Sequence, residues 1–293
     1  MPLVSSKAVL DPAFEQRYGV AAINIVDDLS IDAVLGAATE LQAPVILQTS
    51  LKTVKQIGAS VLYDMVRARA ERAPVPVVLH LDHCPEREWI TTCLRHGWNS
   101  VLFDGSHLDV AENTIQTAEV VAEAHEFGAQ VEGEIETVMG VEDGVGSDER
   151  SDIHPIEVSS RFIEATGVDT FAPAVGTAHG LYASKPHLMP ERVSELVALQ
   201  PIPMVLHGGT GLTPDQFQDC IARGCAKVNI STALKIALTE SYREFLDQNP
   251  GKHDPPSMFK HVRAAVQAMA ADHIRIFGSA GKAPSGAAAS ASP

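Results

Sequence analysis

The sequence predicts an α/β fold of the (β/α)8 TIM barrel class, formed by a single domain. Eight short apolar segments alternate with amphipathic segments of helical period along the 293 residues. Each apolar segment ends in polar residues that are followed by a turn or by the start of a helix. The chain length also lies in the range of single-domain α/β barrels. In this fold the reactive side chains lie at the carboxyl ends of the strands.

The eight predicted strands follow one another in regular order. They cover residues 19–25, 44–49, 76–82, 100–104, 129–135, 169–174, 203–207 and 226–230. Amphipathic segments predict helices between them at 30–42, 108–128, 154–167 and 213–224. The last helix has the clearest boundaries, with Thr213 as N-cap, Pro214 at the first helical position and Gly224 as C-cap.

Two segments depart from this alternation. Residues 136–153 form a long, acidic, glycine-containing loop after the fifth strand. An insertion of this kind is more often an active-site lid than a plain connection. Residues 282–293 are small and polar, and we expect them to be disordered. The predicted barrel domain therefore spans residues 1–281.

Composition excludes several classes of function. The formal net charge is −15 and no basic block is present, which argues against nucleic acid as a partner. The sequence shows no signal peptide and no apolar run of about 20 residues, so it predicts a cytoplasmic protein with no membrane partner. The four cysteines are Cys84, Cys93, Cys220 and Cys225. Their spacing matches no zinc ribbon or redox pair, and we expect reduced thiols packed as small apolar residues.

Polar residues gather at the predicted strand ends. They are Asp82 and His83 after the third strand, Asp104 after the fourth, Glu132 and Glu134 on the fifth, His179 after the sixth, His207 after the seventh and Asn229 on the eighth. A closed barrel brings these positions to one mouth. A single histidine is more often a core or surface residue. Three histidines from separate strands favour a catalytic zinc site with an open coordination position.

Glycine-rich and hydroxyl-bearing loops suggest a phosphate site at the same mouth. They are HGLY at 179–182, HGGTG at 207–211 and NIST at 229–232. Free backbone N–H groups and a helix N-terminus bind phosphate without a lysine. The loops after strands seven and eight are the usual phosphate site of this fold. GGTG alone is equally typical of an ordinary turn, but its combination with NIST favours an anionic substrate.

Several motifs resemble the metal-dependent class II aldolases that cleave ketose bisphosphates, of the fructose- and tagatose-bisphosphate aldolase type. The matching segments are HLDHCPE, LFDGSHL, VEGEIETVMGVEDG, GTAHGLY, VLHGGTG, KVNISTALK and IFGSAGKA. They keep the family's motif order and cover most of residues 5–282. The resemblance implies cleavage of a ketose 1,6-bisphosphate to dihydroxyacetone phosphate and glyceraldehyde 3-phosphate. It also implies a homodimer or homotetramer.

Residue by residue, the resemblance implies that His83, His179 and His207 hold a catalytic Zn²⁺. It implies that Asp82 protonates the aldehyde oxygen in condensation and takes the proton back in cleavage. Glu142, in the long loop, would handle the C3 proton of dihydroxyacetone phosphate. The triose would be held by Gly180, Gly208, Gly209, Thr210, Asn229, Ile230, Ser231 and Thr232.

Other polar residues have two possible roles each. Asp104 and Glu134 either bind a second divalent or monovalent cation or orient the zinc histidines. Lys185 either reaches the triose phosphate or is a solvated loop lysine. Strand parity turns a further set toward the mouth, where we expect packing or hydrogen-bond support. That set is Asn24, Gln48, Ser50, Ser106 and Glu132. His80 has the opposite parity from His83, and we expect a structural role.

The proposed chemistry is consistent with these residue types. Breaking a C–C bond beside a carbonyl leaves an enediolate, whose negative charge needs a Lewis acid such as zinc. One group must also move a proton on the aldehyde oxygen and another on carbon. A base on a loop that closes late would keep the enediolate from water. We expect no Schiff base, because Lys227, the closest lysine, starts the eighth strand at the end away from the mouth.

The sequence also departs from the family pattern. Glu134, Ile135 and Glu136 stand where the family usually has Glu-Leu-Gly, and Thr210 replaces the commoner serine. No arginine is clearly placed for a second phosphate, so Arg263 in the C-terminal helix and a residue of a partner subunit are both candidates. The substrate therefore stays open between fructose and tagatose bisphosphates and another phosphorylated ketose, such as a deoxy-keto-gluconate phosphate. The same residues are also compatible with a zinc-dependent barrel hydrolase or a non-catalytic sugar-phosphate-binding accessory subunit.

Overall fold

The computed structural model describes residues 3–136, 140–142, 145–147, 153–178, 180 and 187–284. Eight parallel strands close into a barrel, and a two-stranded hairpin lies outside it. The strands are β1 (Val20–Asn24), β2 (Val45–Ser50), β3 (Val77–Cys84), β4 (Ser100–Phe103), β5 (Gln130–Glu134), β6 (Gly140–Glu142), β7 (Val145–Ser147), β8 (Thr170–Ala172), β9 (Met204–Leu206) and β10 (Cys225–Ile230). Strands β6 and β7 form the hairpin. The predicted (β/α)8 barrel is confirmed, and each predicted strand overlaps one barrel strand.

Helices surround the barrel. In the described part of the chain they are α1 (Lys7–Gln16), α2 (Asp28–Glu40), α3 (Leu51–Ile57), α4 (Ala59–Ala70), α5 (Arg87–Arg95), α6 (Val110–Glu126), α7 (Ile156–Thr166), α8 (Glu191–Leu199), α9 (Pro214–Arg223), α10 (Thr232–Gln248) and α11 (Pro255–Ile276). The predicted caps of α9 are confirmed, because the Thr213 hydroxyl accepts from the backbone N–H of Gln216 and Gly224 follows at φ 136°. None of the described helices has the length and apolar character that a membrane crossing requires.

The lower half of the barrel interior is apolar. Ala22, Ile46 and Val78 lie side by side on β1, β2 and β3, each at most 1% exposed. Helix α1 packs Val9 and Leu10 against this cluster from below. A second, larger apolar core fills the space between the barrel and its helices. The apolar interior at the end of the barrel covered by α1 therefore contributes to stability.

The upper half of the interior is polar. Two residues further along the same strands, Asn24, Gln48 and His80 replace the apolar side chains and lie in register with one another. Side chains two residues apart on a strand share a face, so the inward-facing residues change from apolar to polar between one inward position and the next. This change places polar groups under the mouth of the barrel.

The long acidic segment contains the hairpin. Glu142 lies on β6, and its backbone pairs with Val145 of β7. The segment begins at Glu136, which is 3% exposed and accepts a hydrogen bond from the backbone N–H of His154 at 3.2 Å. Because Glu136 starts the segment and His154 follows it, this bond joins its two ends. Burial raises the pKa of the Glu136 carboxyl. Residues 137–139, 143–144 and 148–152 lie outside the described part of the chain.

Two further expectations concern the C-terminal tail and the cysteines. Lys282 and Ala283, at the start of the predicted disordered tail, are hydrogen-bonded to Gln16 and to the Gln42 carbonyl. Residues 285–293 lie outside the described part of the chain. The prediction of reduced, packed thiols is confirmed, because the cysteines are free and buried.

Candidate active site

The site begins with a distortion at the end of β3. Consecutive residues of a regular strand point to opposite faces, so Asp82 and His83 should not both reach the barrel interior. The pairing of β3 with β4 shifts register between Leu81 and Cys84, and His83 has a φ of +43°. This left-handed conformation is uncommon for a residue other than glycine and is often found at functional sites. It lets both side chains face the mouth.

Two histidines and a carboxylate form a possible metal centre. His83, Glu134 and His207 each offer one ligand atom, and these atoms lie within 4.8 Å of one another. The imidazole rings of His83 and His207 meet edge to face with centroids 4.7 Å apart. All three side chains are buried. Imidazole nitrogen and carboxylate oxygen are ligands that zinc accepts, so the donor set fits the predicted ion.

The electrostatic field of the site favours a cation. Burial acts to lower the pKa of both histidines, but the neighbouring carboxylates outweigh it. Glu134 and Glu132 raise the pKa of His207 to about 9, and Asp82 and Glu134 raise that of His83 well above its usual value. Carboxylates that stabilise protons on two adjacent imidazoles would equally stabilise a divalent ion between them.

Each ring has a carboxylate partner at one nitrogen, and in His83 that nitrogen, Nδ1, also lies 3.4 Å from Glu134. Asp104 accepts a hydrogen bond from Nδ1 of His83 at 2.9 Å, which leaves Nε2 of that ring for a metal. Glu132 lies 2.7 Å from Nε2 of His207, which leaves Nδ1 for a metal. The Ser106 hydroxyl donates to Asp104 at 2.6 Å. Such partners fix ring orientation and tautomer, so the geometry favours an orienting role for Asp104 and a ligand role for Glu134.

Asp82 is surrounded by amide donors. Asn24 and Gln48 donate to its Oδ2 at 2.9 and 3.2 Å, and Asn229 donates to Oδ1 at 3.2 Å. A carboxylate that only accepts hydrogen bonds is held in its ionised form. Burial acts to raise the pKa of Asp82, but the charges of His83 and Lys227 outweigh it and lower the pKa to about 2. Asp82 is therefore a fixed anion next to the possible metal centre.

The predicted phosphate loops meet above β9 and β10. Gly208 has a φ of 66°, and a Cβ there would lie 2.5 Å from the Ala178 carbonyl oxygen. Only glycine allows this close approach between the loop after β9 and the segment after β8, where Gly180 also has a positive φ of 84°. The Thr210 hydroxyl accepts from the Ala233 N–H at 3.2 Å, which ties the HGGTG loop to the start of α10.

The residues around the start of α10 differ in which of their atoms are available to a substrate. Ser231 is the N-cap of α10, and its buried Oγ has no hydrogen-bond partner among the described residues. Thr232 is the first helical residue, and a Cβ at Gly209 would lie 3.0 Å from the Asn229 carbonyl oxygen. The Ile230 side chain belongs to the outer apolar core, so only its backbone is available to a substrate. The Asn229 amide is bonded to Asp82 and Lys227, which assigns it to the interior of the barrel.

Five further predicted residues are His179, Lys185, Glu142, His80 and Arg263. The expected ligand His179 and Lys185 lie outside the described residues, as does the side chain of Glu142. His80 is buried as expected and its Nδ1 lies 2.7 Å from the Ser100 hydroxyl. Arg263 lines a groove of about 660 Å³ between α2, α10 and α11.

Sequence reasoning missed the role of Lys227. Its Cα lies opposite Val20, near the lower end of β10, as expected. Its side chain, however, extends upward inside the barrel, and Nζ lies 2.8 Å from Glu132 and 2.7 Å from Asn229. Only part of the signal lies in the sequence: Lys227 and Asn229 are two residues apart and therefore share a face of the strand, but the pattern does not record how far the lysine side chain reaches.

Comparisons with known proteins agree with this geometry. Residues 4–282 match the family described as class II fructose-bisphosphate aldolase. The chain is 37% identical to the fructose-bisphosphate aldolase of Geobacillus stearothermophilus, over 97% of this chain and 99% of that protein. It is also 37% identical to the 6-phospho-5-dehydro-2-deoxy-D-gluconate aldolase of Bacillus licheniformis, over 97% of each. Among solved structures, the YdjI aldolase from Escherichia coli K12 has a TM-score of 0.85 and 30% identity, covering 96% of this chain and 100% of that one.

Proposed function

Because this chain belongs to the class II fructose-bisphosphate aldolase family and is an aldolase, we propose that it is a zinc-dependent enzyme acting on a ketose 1,6-bisphosphate. The proposed reaction is reversible cleavage to dihydroxyacetone phosphate and glyceraldehyde 3-phosphate. The observation that carries the proposal is the buried cluster of His83, Glu134 and His207 beside the ionised Asp82. The cluster can hold a cation, and the carboxylate can move a proton next to it.

His83 and His207 would hold the Zn²⁺, with His179 as the third imidazole and Glu134 within reach of the same ion. When bound, Zn²⁺ would act as a Lewis acid that draws electron density from the ketone carbonyl. Asp104 and Glu132 would keep the two rings in the orientation that exposes one nitrogen of each. A second divalent or monovalent cation is not required by this arrangement.

Asp82 is proposed to take the proton from the C4 hydroxyl during cleavage and to return it during condensation. Its amide partners support this role, because they hold the carboxylate ionised and fix its position. A fixed carboxylate needs little reorganisation when the C–C bond breaks. Proton transfer is then a matter of the position of Asp82 rather than of a raised pKa.

Glu142 is proposed to move the C3 proton of dihydroxyacetone phosphate. The backbone pairing of β6 with β7 supports this proposal, because it gives Glu142 a defined strand position within the acidic segment. The joining of Glu136 to the His154 backbone supports a fixed base for the same segment.

The triose phosphate is proposed to bind at the loop 208–210 and at the start of α10. The Ser231 hydroxyl, the Thr232 position and the helix N-terminus together suit a phosphate group. Gly180 and Lys185 would complete the site from the segment after β8. We also expect a homodimer or homotetramer, in which a partner subunit is one source of contacts to the second phosphate.

A second substrate has a specific observation in its favour. The chain is as similar to a 6-phospho-5-dehydro-2-deoxy-D-gluconate aldolase as to a fructose-bisphosphate aldolase. Both substrates share a proposed half, dihydroxyacetone phosphate, and differ in the aldehyde. The triose site described above would serve either substrate.

The test is coupled detection of dihydroxyacetone phosphate with fructose 1,6-bisphosphate, tagatose 1,6-bisphosphate and the deoxy-keto-gluconate phosphate. Each substrate is offered to chelator-treated protein and to the same protein reloaded with Zn²⁺. We expect release from one substrate, and only after reloading. Release of inorganic phosphate without an aldehyde would favour a hydrolase, and borohydride trapping of a lysine-linked substrate would contradict the metal mechanism. Silence of the zinc-loaded protein toward every substrate would favour a binding subunit.

A further inference from the structure

We propose that Lys227 is a positioning residue that fixes two reacting parts of the site at once, His207 through Glu132 and Asp82 through Asn229. The inference rests on the proposed function for the roles of His207 and Asp82. It goes beyond that function because Lys227 is neither a predicted metal ligand nor a predicted substrate-binding residue. Lys227 would act through the two residues it bonds.

The location of Lys227 is unusual for its residue type. It is 2% exposed and lies inside the barrel, whereas lysine is rarely fully buried without a partner. Among the described residues it is the only buried lysine or arginine. Burying an ammonium group is costly, and apolar side chains of similar volume are often as stable or more stable. Stability is therefore a weak reason for a lysine at this position.

The first contact leads to the possible metal centre. Glu132 uses its two oxygens on different partners, with Oε2 2.8 Å from Lys227 Nζ and Oε1 2.7 Å from His207 Nε2. The ammonium group therefore fixes the rotation of the carboxylate. With Oε1 held on Nε2 of His207, the other ring nitrogen faces Glu134 at 3.2 Å. Lys227 thus helps to select the nitrogen that His207 presents to a metal.

The second contact leads to the proton-transfer group. Lys227 Nζ donates to Oδ1 of Asn229 at 2.7 Å, and Nδ2 of Asn229 donates to Asp82 at 3.2 Å. An ammonium group has only donors, so it requires the oxygen of the Asn229 amide to face it. The nitrogen of that amide must then face Asp82. Without Lys227 the amide could turn and place its oxygen against the Asp82 carboxylate, which would weaken the support of that anion.

The test compares three variants of the full-length protein. K227M removes the ammonium group, E132Q/K227M removes both charges of the ion pair, and V228A is the control. Val228 is the next residue of β10, is 0% exposed and packs in the outer core, so its truncation costs stability without touching the network. The readouts are Zn²⁺ affinity by competition with a chromophoric chelator, kcat and KM in saturating Zn²⁺, and urea unfolding.

We expect K227M to lose Zn²⁺ affinity by about 10- to 100-fold, the range found for partners of metal-binding histidines. K227M should also lose stability, because Glu132 keeps a buried charge beside His207 without its ammonium partner. The decisive variant is E132Q/K227M, which should regain stability but not Zn²⁺ affinity or kcat. V228A should lose stability alone. In K227M the fall in kcat should exceed any rise in KM, since Asp82 is proposed to act after binding.

Two results would overturn the inference. One is wild-type Zn²⁺ affinity and kcat in K227M. The other is recovery of stability, affinity and kcat together in E132Q/K227M, which would show that Lys227 only neutralises Glu132. If K227M does not fold, the double variant still tests the inference, because recovery of affinity and kcat in it would overturn the inference. Wild-type protein that binds Zn²⁺ but cleaves no ketose would contradict the proposed function. The Zn²⁺ affinities of the variants would still test whether Lys227 fixes His207 through Glu132. Wild-type protein that binds no Zn²⁺ would contradict both.

Discussion

The two halves of the barrel interior differ in chemistry although they share the same strands. Ala22, Ile46 and Val78 fill the lower half and pack against α1. Two residues further along, the interior holds polar groups joined by hydrogen bonds, from Gln48 and Asp82 to Lys227. Two residues of a strand span about 6.6 Å. Stability and reactivity are thus separated along the barrel axis by a very short distance, and changes in either half should have different consequences.

The largest expected difference concerns catalysis in the upper half. The change Asp82→Asn removes the proposed proton acceptor while it nearly preserves the shape of the side chain. We expect kcat to fall by about 10²- to 10⁴-fold, the usual contribution of a positioned acid or base. The free energy of unfolding should fall as well, because the fold stabilises the Asp82 anion, and the amide nitrogen of an asparagine would face one of the three amide donors. Steady-state kinetics measure the change in kcat, and urea unfolding measures the change in stability.

The matched control is Asp109→Asn, the same chemical change at the exposed N-cap of α6. Asparagine is an equally good N-cap, so this variant should keep the kcat and stability of the wild type. Wild-type kcat in the Asp82 variant would contradict the role of Asp82.

The converse change lies in the lower half. Ile46→Ala truncates a side chain that is 1% exposed in the apolar cluster above α1. We expect the free energy of unfolding to fall by about 2–5 kcal/mol, the range for such truncations. Per folded molecule, kcat and bound Zn²⁺ should match the wild type. A kcat loss larger than the loss of folded protein would show that the two halves are coupled.

A further prediction concerns His80, which lies in the polar layer directly above the apolar half, and the pH dependence of stability. Burial, together with the charge of Lys227, lowers the pKa of His80 to about 3. The unfolded chain has a histidine pKa of about 6.5, so below that pH it binds more protons than the folded protein. The stability contributed by neutral His80 is therefore complete above about pH 6.5 and is lost as the pH falls toward 3. This group alone predicts a slope of about 1.4 kcal/mol per pH unit inside that window.

The variant His80→Asn can keep the hydrogen bond to Ser100 but cannot be protonated. Urea unfolding of metal-free protein between pH 7 and pH 4.5 should give a flatter profile for this variant than for the wild type. His96→Asn, at an exposed position, should leave the profile unchanged. Parallel profiles for wild type and His80→Asn would show that His80 takes up protons in the folded state.

The smallest expected effect lies at the outer edge of the polar half. Ser106→Ala removes the 2.6 Å hydrogen bond from the hydroxyl to Asp104, while the backbone N–H of residue 106 still donates to it. Asp104 in turn orients His83, so Zn²⁺ affinity should fall by about 10-fold, the low end for such partners. Ser106→Thr keeps a hydroxyl and should keep the affinity. Competition with a chromophoric chelator measures both, and equal affinity in all three proteins would remove Ser106 from the metal site.

The fold was accessible from sequence because each barrel strand is a short apolar run bounded by polar residues. The mouth could also be predicted, since strand ends meet there in any closed barrel. Two features of the site could not be predicted from the sequence. Simple alternation sends Asp82 and His83 to opposite faces, and the bulge that turns His83 inward leaves no mark in a pattern of apolar and polar residues. The role of Lys227 depends on how far its side chain reaches above its Cα, and a strand pattern does not record that reach.

The bulge at the end of β3 has a consequence for protein design. The five letters HLDHC resemble a portable motif that could be copied onto the end of any barrel strand. On a regular strand, however, one of Asp82 and His83 would point into the surrounding helices and the other into the barrel. A successful transplant would have to carry the register shift between Leu81 and Cys84 and the left-handed conformation of His83 along with the side chains. The unit that must be transferred is the backbone conformation together with the side chains, and the five letters alone do not specify it.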